Sequence, residues 1–341
     1  MTVEAVLEAV PLPVLILNSD HRITLANSAS TDLFGRNVTG ENGVGVLRQA
    51  AALDAVERCL TEGQQSSARF VLSGQSGAHI FTLRAHPLPD HRALLSFEDR
   101  SQHEDSEAMR RDFVANISHE LRTPLTSLMG FIETLRGPAR DDPDAQERFL
   151  EIMEHEAQRM SRMVTDLLSL SRVEVDERIR PRDQVDLSSV LRSVIATLEG
   201  KLSDAGVTVS APDLDARALI RGDRDQLIQL FLNLLENAIK YGGAGKVIHI
   251  AIRRLERDPT LRQAAIQVDI RDEGEGIDPL HIPRLTERFY RVDDHRSRDM
   301  GGTGLGLAIV KHIVNRHRGR LKIASEQGVG SCFSIIFPDE V

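Results

Sequence analysis

Apolar side chains recur every three or four positions between residues 101 and 176, which is the period of one α-helix face. The first stripe comprises Met109, Phe113, Ile117, Leu121, Leu125, Leu128, Ile132 and Leu135. The stretch GPARDDPD (137–144) ends it. A second stripe comprises Phe149, Ile152, Met153, Met160, Met163, Val164, Leu167 and Leu168. The pattern predicts an αα-hairpin, and because a lone hairpin buries only one seam of each helix, we expect a homodimeric four-helix bundle.

The N-terminal third has a different pattern. VLILN (14–18) and RITLAN (22–27) are typical of strands, and VLRQAAALDAVERCL (46–60) is typical of a helix. Three further strand-like runs follow: ARFVLSG, HIFTLRAHPL and ALLSFEDR. Two strands, helices and three strands resemble a PAS domain. We therefore expect a PAS-like α/β sensory unit over 1–100 and the helical hairpin domain over 101–180.

The remaining segment, 183–341, alternates between helical and strand patterns and predicts an α/β domain. DLSSVLRSVIATLEGKLSDAG, RDQLIQLFLNLLENAIKYG and GTGLGLAIVKHIVNRHRG are helical in pattern. VTVSAP, ALIRGD, VIHIAIRRLE and AAIQVDIRDEG favour strands, and RLKIASEQGVGSCFSIIFP favours a closing hairpin. The chain is thus predicted to be an α+β multidomain protein.

Composition narrows the possible partners. The net charge is −9, aromatic residues make up 4%, and there is no Trp, which argues against nucleic-acid binding. Cys59 and Cys332 match no metal spacing and fit a reducing setting. No apolar run reaches the roughly 20 residues that a membrane helix needs. We expect no membrane span in this chain, and a cytoplasmic location or the cytoplasmic portion of a membrane-bound sensor.

Two glycine-containing motifs lie in the last third of the chain. DEGEGI (272–277) follows a predicted strand. There Gly274 and Gly276 let the backbone approach a ligand, and Asp272 can accept a hydrogen bond from an exocyclic amine such as that of adenine. GGTGLGLAIV (301–310) opens a helix, whose N-terminal N–H groups favour phosphate.

A third motif, NLLENAIKY (233–241), places a polar stripe on an apolar helix. Its members are Asn233, Glu236, Asn237, Lys240 and Tyr241. Amide oxygens suit Mg²⁺, which binds nucleotide phosphates while keeping several waters. The alternative is a solvated helix face, but two Asn residues within a helix are poor helix formers.

These motifs, together with FVANISHELRTPL and ERFYR, occur in the order found in sensor histidine kinases of the HisKA class. Residues 106–341 therefore resemble a two-component sensor kinase of the phosphate-responsive type. The resemblance implies a C-terminal α/β-sandwich ATP-binding domain, over 183–341, of the gyrase, Hsp90 and histidine-kinase superfamily. It also implies autophosphorylation from ATP with Mg²⁺, and phosphoryl transfer to the receiver domain of a cognate response regulator.

The resemblance assigns roles within SHELRTPL. His119 is the phosphoacceptor, and Glu120 is the base, placed either to remove a proton or to fix the tautomer of the ring. Thr123, one turn on, positions a water in a phosphatase reaction on the regulator, and Pro124 is expected to bend the helix. Asn237 is the Mg²⁺ ligand. The implied ATP-binding residues are Asn233, Asn237, Lys240, Tyr241, Asp272, Gly274, Gly276, Gly302, Thr303, Gly304, Leu305 and Gly306.

Some assignments stay open at this stage. RFYRVDDHRSRDMGGTG resembles an ATP lid anchored by Phe289, in which His295, Arg296 or Arg298 could reach the phosphates. Scattered N-terminal histidines could indicate haem, although surface or core positions explain them better; they are His21, His79, His86 and His91. Two rival functions are an ATPase of the gyrase and Hsp90 type, and a scaffold or phosphatase-dominant regulator.

Overall fold

The computed structural model describes residues 2–74, 77–176, 179–243, 245–292 and 302–339. The chain divides into two compact units, Met1–Ala115 and Asn116–Val341. No helix in these described ranges combines the length and apolar character needed to span a bilayer.

The first unit contains a five-stranded antiparallel sheet of order β2-β1-β5-β4-β3. Its strands are β1 Val14–Leu17, β2 Ile23–Ala26, β3 Ser66–Gly74, β4 Gly77–Leu88 and β5 Arg92–Asp99. Its short helices are α1 Val3–Glu8, α2 Ser28–Phe34, α3 Gly43–Leu47 and α4 Ala50–Glu62. The core between α4 and the sheet includes Phe70 and Phe97, whose rings meet edge-on at 5.3 Å between centroids.

The helix predicted over 46–60 is wrong in one respect, because the structure has two helices there. Arg48 adopts a left-handed conformation at φ 52°, which ends α3. Gln49 then caps α4, and its side chain bonds both backbone groups of Val71 on β3, at 2.6 and 3.0 Å. The hydrogen bonds between Gln49 and the neighbouring strand thus separate two helices, although the periodicity of the segment is that of one helix.

The hairpin predicted from the two apolar stripes is present. Its helices are α5 Ser101–Arg136 and α6 Pro143–Asp176, and α5 continues as one helix through Pro124. Phe131 and Phe149 pack across the loop end at 5.4 Å between ring centroids. Several large apolar side chains of both helices remain 43–57% exposed, which leaves an apolar face unfilled; they are Leu125, Met129, Ile132, Leu150, Ile152, Val164 and Leu168.

The C-terminal part has a five-stranded sheet of order β11-β12-β10-β9-β7, in which only the β7–β9 pair is parallel among the described strands. The strands are β7 Thr208–Ser210, β9 Val247–Leu255, β10 Ala265–Arg271, β11 Arg320–Glu326 and β12 Gly330–Pro338. A small two-stranded sheet pairs β6 Gln184–Asp186 with β8 Leu219–Arg221.

Among the described residues, three α-helices accompany this sheet: α7 Leu187–Ala205, α8 Arg224–Gly242 and α9 Gly306–Arg316. The central strands β10 and β12 are buried along most of their length, whereas the edge strand β11 alternates between half-buried and exposed residues. The central helix α8 packs against both α7 and α9, and α9 also packs against α6 of the hairpin. The sandwich therefore places α8 and the start of α9 side by side, at the edge that faces α6.

Candidate active site

A pocket of about 720 Å³ lies in the second unit. Its wall is formed by α8, by the loop that follows β10, by the segment that opens α9 and by α6 of the hairpin. Predicted site residues in the wall are Asn233, Asn237, Lys240, Tyr241, Asp272, Gly276, Gly302, Thr303, Gly304 and Gly306. Gly274, Leu305, His119, Glu120 and Thr123 do not line it.

Helix α8 presents its polar stripe to this pocket because its other side is apolar. Asp223 caps the helix by accepting the N–H groups of Asp225 and Gln226, each at 3.2 Å. The side-chain amides of Asn233 and Asn237 differ in their hydrogen bonding. Asn233 Nδ2 donates to the Gly306 carbonyl at 3.4 Å, so this amide ties α8 to the glycine segment. The Asn237 amide makes no hydrogen bond to any residue in the described ranges.

Lys240 lines the pocket without a direct partner for its charge among the described residues. Burial lowers the pKa of the Lys240 ammonium, and the carboxylate of Glu236 is the strongest opposing influence. Glu236 itself is paired with Lys201 at 2.5 Å. Within the described part of the chain Lys240 forms no hydrogen bond and no ion pair. A partly buried ammonium without a direct partner favours an anionic ligand at this position.

Asp272 is held at the end of β10 with one carboxylate oxygen bonded and the other not. Its Oδ1 accepts the N–H groups of Gly274 at 2.9 Å and Ser331 at 3.2 Å. The residue is 5% exposed, and burial raises the pKa of its carboxyl. Oδ2 has no hydrogen bond to the described residues and is free to meet an amine in the pocket.

Gly274 has a packing role next to this carboxylate. A Cβ there would collide with the backbone carbonyl of Tyr241 at the end of α8. The glycine thus lets the loop after β10 approach the helix, which keeps Asp272 and Tyr241 on the same wall. Tyr290 is another residue of the wall, and its hydroxyl shares a hydrogen bond of 2.6 Å with His281 Nδ1.

The glycine segment before α9 contacts both the C-terminal domain and the hairpin. Gly304 adopts φ 72°, and a Cβ there would lie 2.9 Å from the backbone of Phe289, whose N–H donates to the Gly304 carbonyl at 2.8 Å. The Thr303 hydroxyl donates to Asp166 of α6 at 2.6 Å. Burial raises the pKa of the Asp166 carboxyl, while the Thr303 hydrogen bond acts in the opposite direction.

The SHELRTPL motif lies on α5. His119 is exposed, and the Thr123 hydroxyl donates to the His119 carbonyl at 3.2 Å. Glu120 is half-buried and accepts from two guanidinium groups: Arg159 of α6 at 2.8 Å and Arg291 of the C-terminal domain at 3.2 Å. Both arginine side chains are only 4% exposed.

Arg291 therefore connects two regions that are distant in sequence. It lines the pocket and also pairs with Glu120, the residue next to His119. A second ion pair, between Arg288 and Glu174 at 2.5 Å, joins the same segment to α6. The hairpin and the pocket thus form one continuous site in the second unit.

Sequence reasoning missed the residues that come from outside the motifs. These are Arg159, Arg162, Asp166 and Glu174; Arg288 and Arg291 lie within the ERFYR motif, which by itself gives them no role. Arg162 and Asp166 lie four residues apart, which marks one helix face, but only the fold brings that face to the pocket. The lid residues His295, Arg296 and Arg298 lie outside the described residues.

Three protein families match the chain. Residues 2–66 match the PAS domain, and residues 109–175 match the His Kinase A (phospho-acceptor) domain. Residues 222–341 match the histidine kinase-, DNA gyrase B- and HSP90-like ATPase family. The phosphoacceptor match decides against the rival prediction of an ATPase of the gyrase and Hsp90 type.

Two curated relatives agree with these matches. The sensor-like histidine kinase SenX3 of Mycolicibacterium smegmatis is 33% identical over 350 residues, covering 99% of this chain and 87% of that protein. The phosphate regulon sensor protein PhoR of Pseudomonas aeruginosa is 39% identical over 244 residues, covering 72% of this chain and 53% of that protein.

Solved structures show the same architecture. Histidine kinase AdeS of Acinetobacter baumannii is 26% identical at a TM-score of 0.50, covering 65% of this chain and 98% of that chain. Histidine kinase ThkA, solved in complex with response regulator protein TrrA, has a TM-score of 0.53 and 21% identity, covering 99% of this chain and 98% of that chain. The similarity to ThkA supports the fold alone.

The three family matches and the relative aligned over nearly the full length lead to one conclusion. The chain belongs to the HisKA-class sensor histidine kinases of two-component systems, with an N-terminal PAS domain and a C-terminal ATP-binding domain.

Proposed function

We propose that ATP bound in the 720 Å³ pocket phosphorylates His119, and that the phosphoryl group then passes to an aspartate of a response regulator. The observation that carries this proposal is the Arg291–Glu120 ion pair. It connects the wall that holds Lys240 and Asn237 to the residue beside His119. The proposed domains are a sensory unit over 1–100, the hairpin over 101–180 and the catalytic domain over 183–341.

The pocket wall fits an adenine nucleotide. Asp272 Oδ2 is available for the exocyclic amine of adenine, and Gly276 lines the pocket beside it. Lys240 supplies a cation for the phosphates, with Tyr241 close by on the same helix. Segment 302–306 borders the pocket at the start of α9, where Leu305 is a fully buried anchor.

The same wall fits Mg²⁺ through Asn237, whose amide has no other hydrogen bond among the described residues. An amide oxygen is a suitable ligand for this hard cation. When bound, Mg²⁺ would neutralise charge on the phosphate oxygens. Asn233 has a supporting role, since its amide holds the Gly306 carbonyl beside α8.

In the proposed transfer, a ring nitrogen of His119 attacks the γ-phosphorus of ATP. A nitrogen–phosphorus bond forms, the bond between phosphorus and the ADP oxygen breaks, and the ring loses its other proton. Glu120 is placed either to accept that proton or to fix the tautomer. Arg159 and Arg291 orient this carboxylate through hydrogen bonds to its Oε2.

A phosphatase reaction on the regulator is the proposed second activity. Thr123 lies one turn from His119, and its hydroxyl is exposed at the same part of α5. That hydroxyl could hold a water beside a phosphoaspartate. The ThkA structure contains response regulator TrrA, which supports a receiver domain as the partner of this chain as well. The name of PhoR supports a role in phosphate regulation.

A homodimer is proposed from the exposed apolar face of the hairpin. Leu125 is 50% exposed and Leu168 is 57% exposed, although both belong to regular apolar stripes. Burying such a face against a second hairpin would complete a four-helix bundle. The phosphoacceptor-domain match supports this assembly.

The experiment that tests this function is autophosphorylation from γ-labelled ATP with Mg²⁺. Wild type should acquire label that is acid-labile and alkali-stable, as a phosphoramidate is. His119→Gln should abolish labelling and leave nucleotide binding intact, whereas the control His155→Gln, an exposed histidine on α6, should label normally. An acid-stable label, or normal labelling of His119→Gln, would refute the assignment.

A further inference from the structure

Helix α6 contributes directly to the nucleotide pocket, although it belongs to the phosphoacceptor hairpin. Four of its residues line the wall: Ser161, Arg162, Thr165 and Asp166. Spacings of one, three and four residues place all four on one helix face. A nucleotide in this pocket therefore lies against the hairpin as well as against α8.

Arg162 is the member of this face whose charge has no partner. It is exposed, and within the described part of the chain its guanidinium makes no hydrogen bond and no ion pair. Its neighbour Arg159 differs, because it is buried and bonds Glu120 at 2.8 Å and Glu156 at 3.5 Å. Arg162 thus reaches the pocket with its donors free.

The charges around Arg162 indicate what it faces. Its positive charge lowers the pKa of both Lys240 and Asp166, so it lies near both groups. The two carboxylates whose charges act on Lys240 have other partners: Glu236 bonds Lys201, and Asp166 accepts the Thr303 hydroxyl. Two cations, one from α6 and one from α8, are therefore left facing the same space.

An oligophosphate is the ligand that satisfies this arrangement. It carries several negative charges on adjacent groups, which can engage an ammonium and a guanidinium together. The planar guanidinium also matches two oxygens of one phosphate, which an ammonium does not. A neutral ligand would leave both cations desolvated and unpaired.

We propose that Arg162 is a nucleotide-binding residue that contacts the β- or γ-phosphate of ATP from the hairpin side, opposite Lys240. The proposal rests on the proposed function, since it takes ATP as the ligand of this pocket. It makes the hairpin a part of the nucleotide site. Phosphate contacts would then favour the arrangement in which α6 closes the pocket.

The test is equilibrium binding by titration calorimetry on the full chain with Mg²⁺, using AMPPNP, ADP and AMP. Arg162→Gln should weaken AMPPNP binding by about tenfold or more, the usual effect of losing a charge-assisted hydrogen bond. AMP binding should stay at the wild-type value, because AMP lacks the β- and γ-phosphates. Arg162→Lys should bind AMPPNP with intermediate affinity.

The matched control is Arg148→Gln. Arg148 is exposed on the same helix and lies outside the pocket wall; among the described residues it bonds only the backbone carbonyl of Asp144, at 3.2 Å. It should bind all three nucleotides as wild type does. Far-UV circular dichroism and thermal melting of each variant check that the fold is kept.

Three results would overturn the proposal. Wild-type AMPPNP affinity in Arg162→Gln would show that the guanidinium is simply solvated. An equal loss for AMP, ADP and AMPPNP would show a structural role for Arg162. Failure of the wild type to bind AMPPNP would overturn the proposed function as well, whereas loss of labelling at His119 with intact, Arg162-dependent binding would refute only the phosphoacceptor assignment.

Discussion

Protonating or replacing His317 should loosen the start of α8, the helix that carries Asn237 and Lys240. His317 is 1% exposed and lies just beyond the end of α9. Its Nε2 accepts the N–H of Asp223, the capping residue of α8, at 3.0 Å. Its Nδ1 lies 2.7 Å from the Ile313 carbonyl and donates to it. The ring therefore needs to be neutral, with the proton on Nδ1.

The direction of the pH effect follows from this geometry. Burial lowers the pKa of His317; Arg316 and Arg180 act in the same direction, whereas Asp223 and the Ile313 carbonyl oppose them. The unfolded chain has the ordinary histidine pKa, about 6.5, and so binds more protons than the folded chain just below that pH. The stability that the neutral ring contributes is fully present above pH of about 6.5 and is lost as the pH falls.

The size of the loss in stability follows from the hydrogen bond that is lost. A proton on Nε2, or an alanine in place of the ring, leaves the partly buried Asp223 N–H without its acceptor, at a cost of about 1–3 kcal/mol. Such a cost lowers the protection of the amides that depend on this bond by about 5- to 150-fold. The larger end applies to His317→Ala, because the ring also packs against Phe337 at 5.9 Å between centroids.

Hydrogen exchange measured by mass spectrometry on the full chain is the suitable assay, with peptides from the start of α8 compared at pH 7.5 and 5.5 after correction for intrinsic rates. Wild type should lose protection at the lower pH. His317→Ala should show low protection at both values. The control His249→Gln, an exposed position on β9, should follow the wild type. If His317→Ala kept wild-type protection in α8, or retained the full pH dependence, the role of the ring would be refuted.

Two further outcomes are expected. Asp272→Ala should weaken ATP binding by about 1–3 kcal/mol through loss of a buried polar contact, measured by titration calorimetry; unchanged affinity would place adenine elsewhere. Thr123→Ala should label from ATP at the wild-type rate, because the nucleophile is the ring of His119, yet should dephosphorylate the phosphorylated regulator slowly. Equal loss of both Thr123→Ala activities, followed as initial labelling and phospho-regulator decay, would instead indicate a structural hydroxyl.

Long periodic segments of the fold were predictable from the sequence. The predicted helix RDQLIQLFLNLLENAIKYG coincides with α8, because caps and apolar spacing agree there. The three-residue strand β6 was missed, since three residues are too few to display a strand period. The break at Arg48 was also missed, because its cause is the long-range bond between Gln49 and β3.

The residues of the candidate site were likewise predictable only in part from the sequence. Contiguous motifs identified most of the pocket wall, since residues at helical spacing or in one turn stay together in any fold. The contributions of Arg162, Asp166 and Arg291 depend on the packing of α6 beside the ATP-binding domain. No local pattern distinguishes Arg162 and Asp166 from the other charged residues of a solvated helix, and the ERFYR motif does not indicate that Arg291 pairs with Glu120.

The pocket wall also determines the optical properties of this protein. The chain has no Trp and two Tyr residues, and both of them, Tyr241 and Tyr290, line the pocket. All tyrosine emission of the unmodified protein therefore originates from the wall where the nucleotide is proposed to bind. Ligand entry or withdrawal of α6 alters the surroundings of both fluorophores, so the kinase contains its own reporter of pocket occupancy and needs no attached dye.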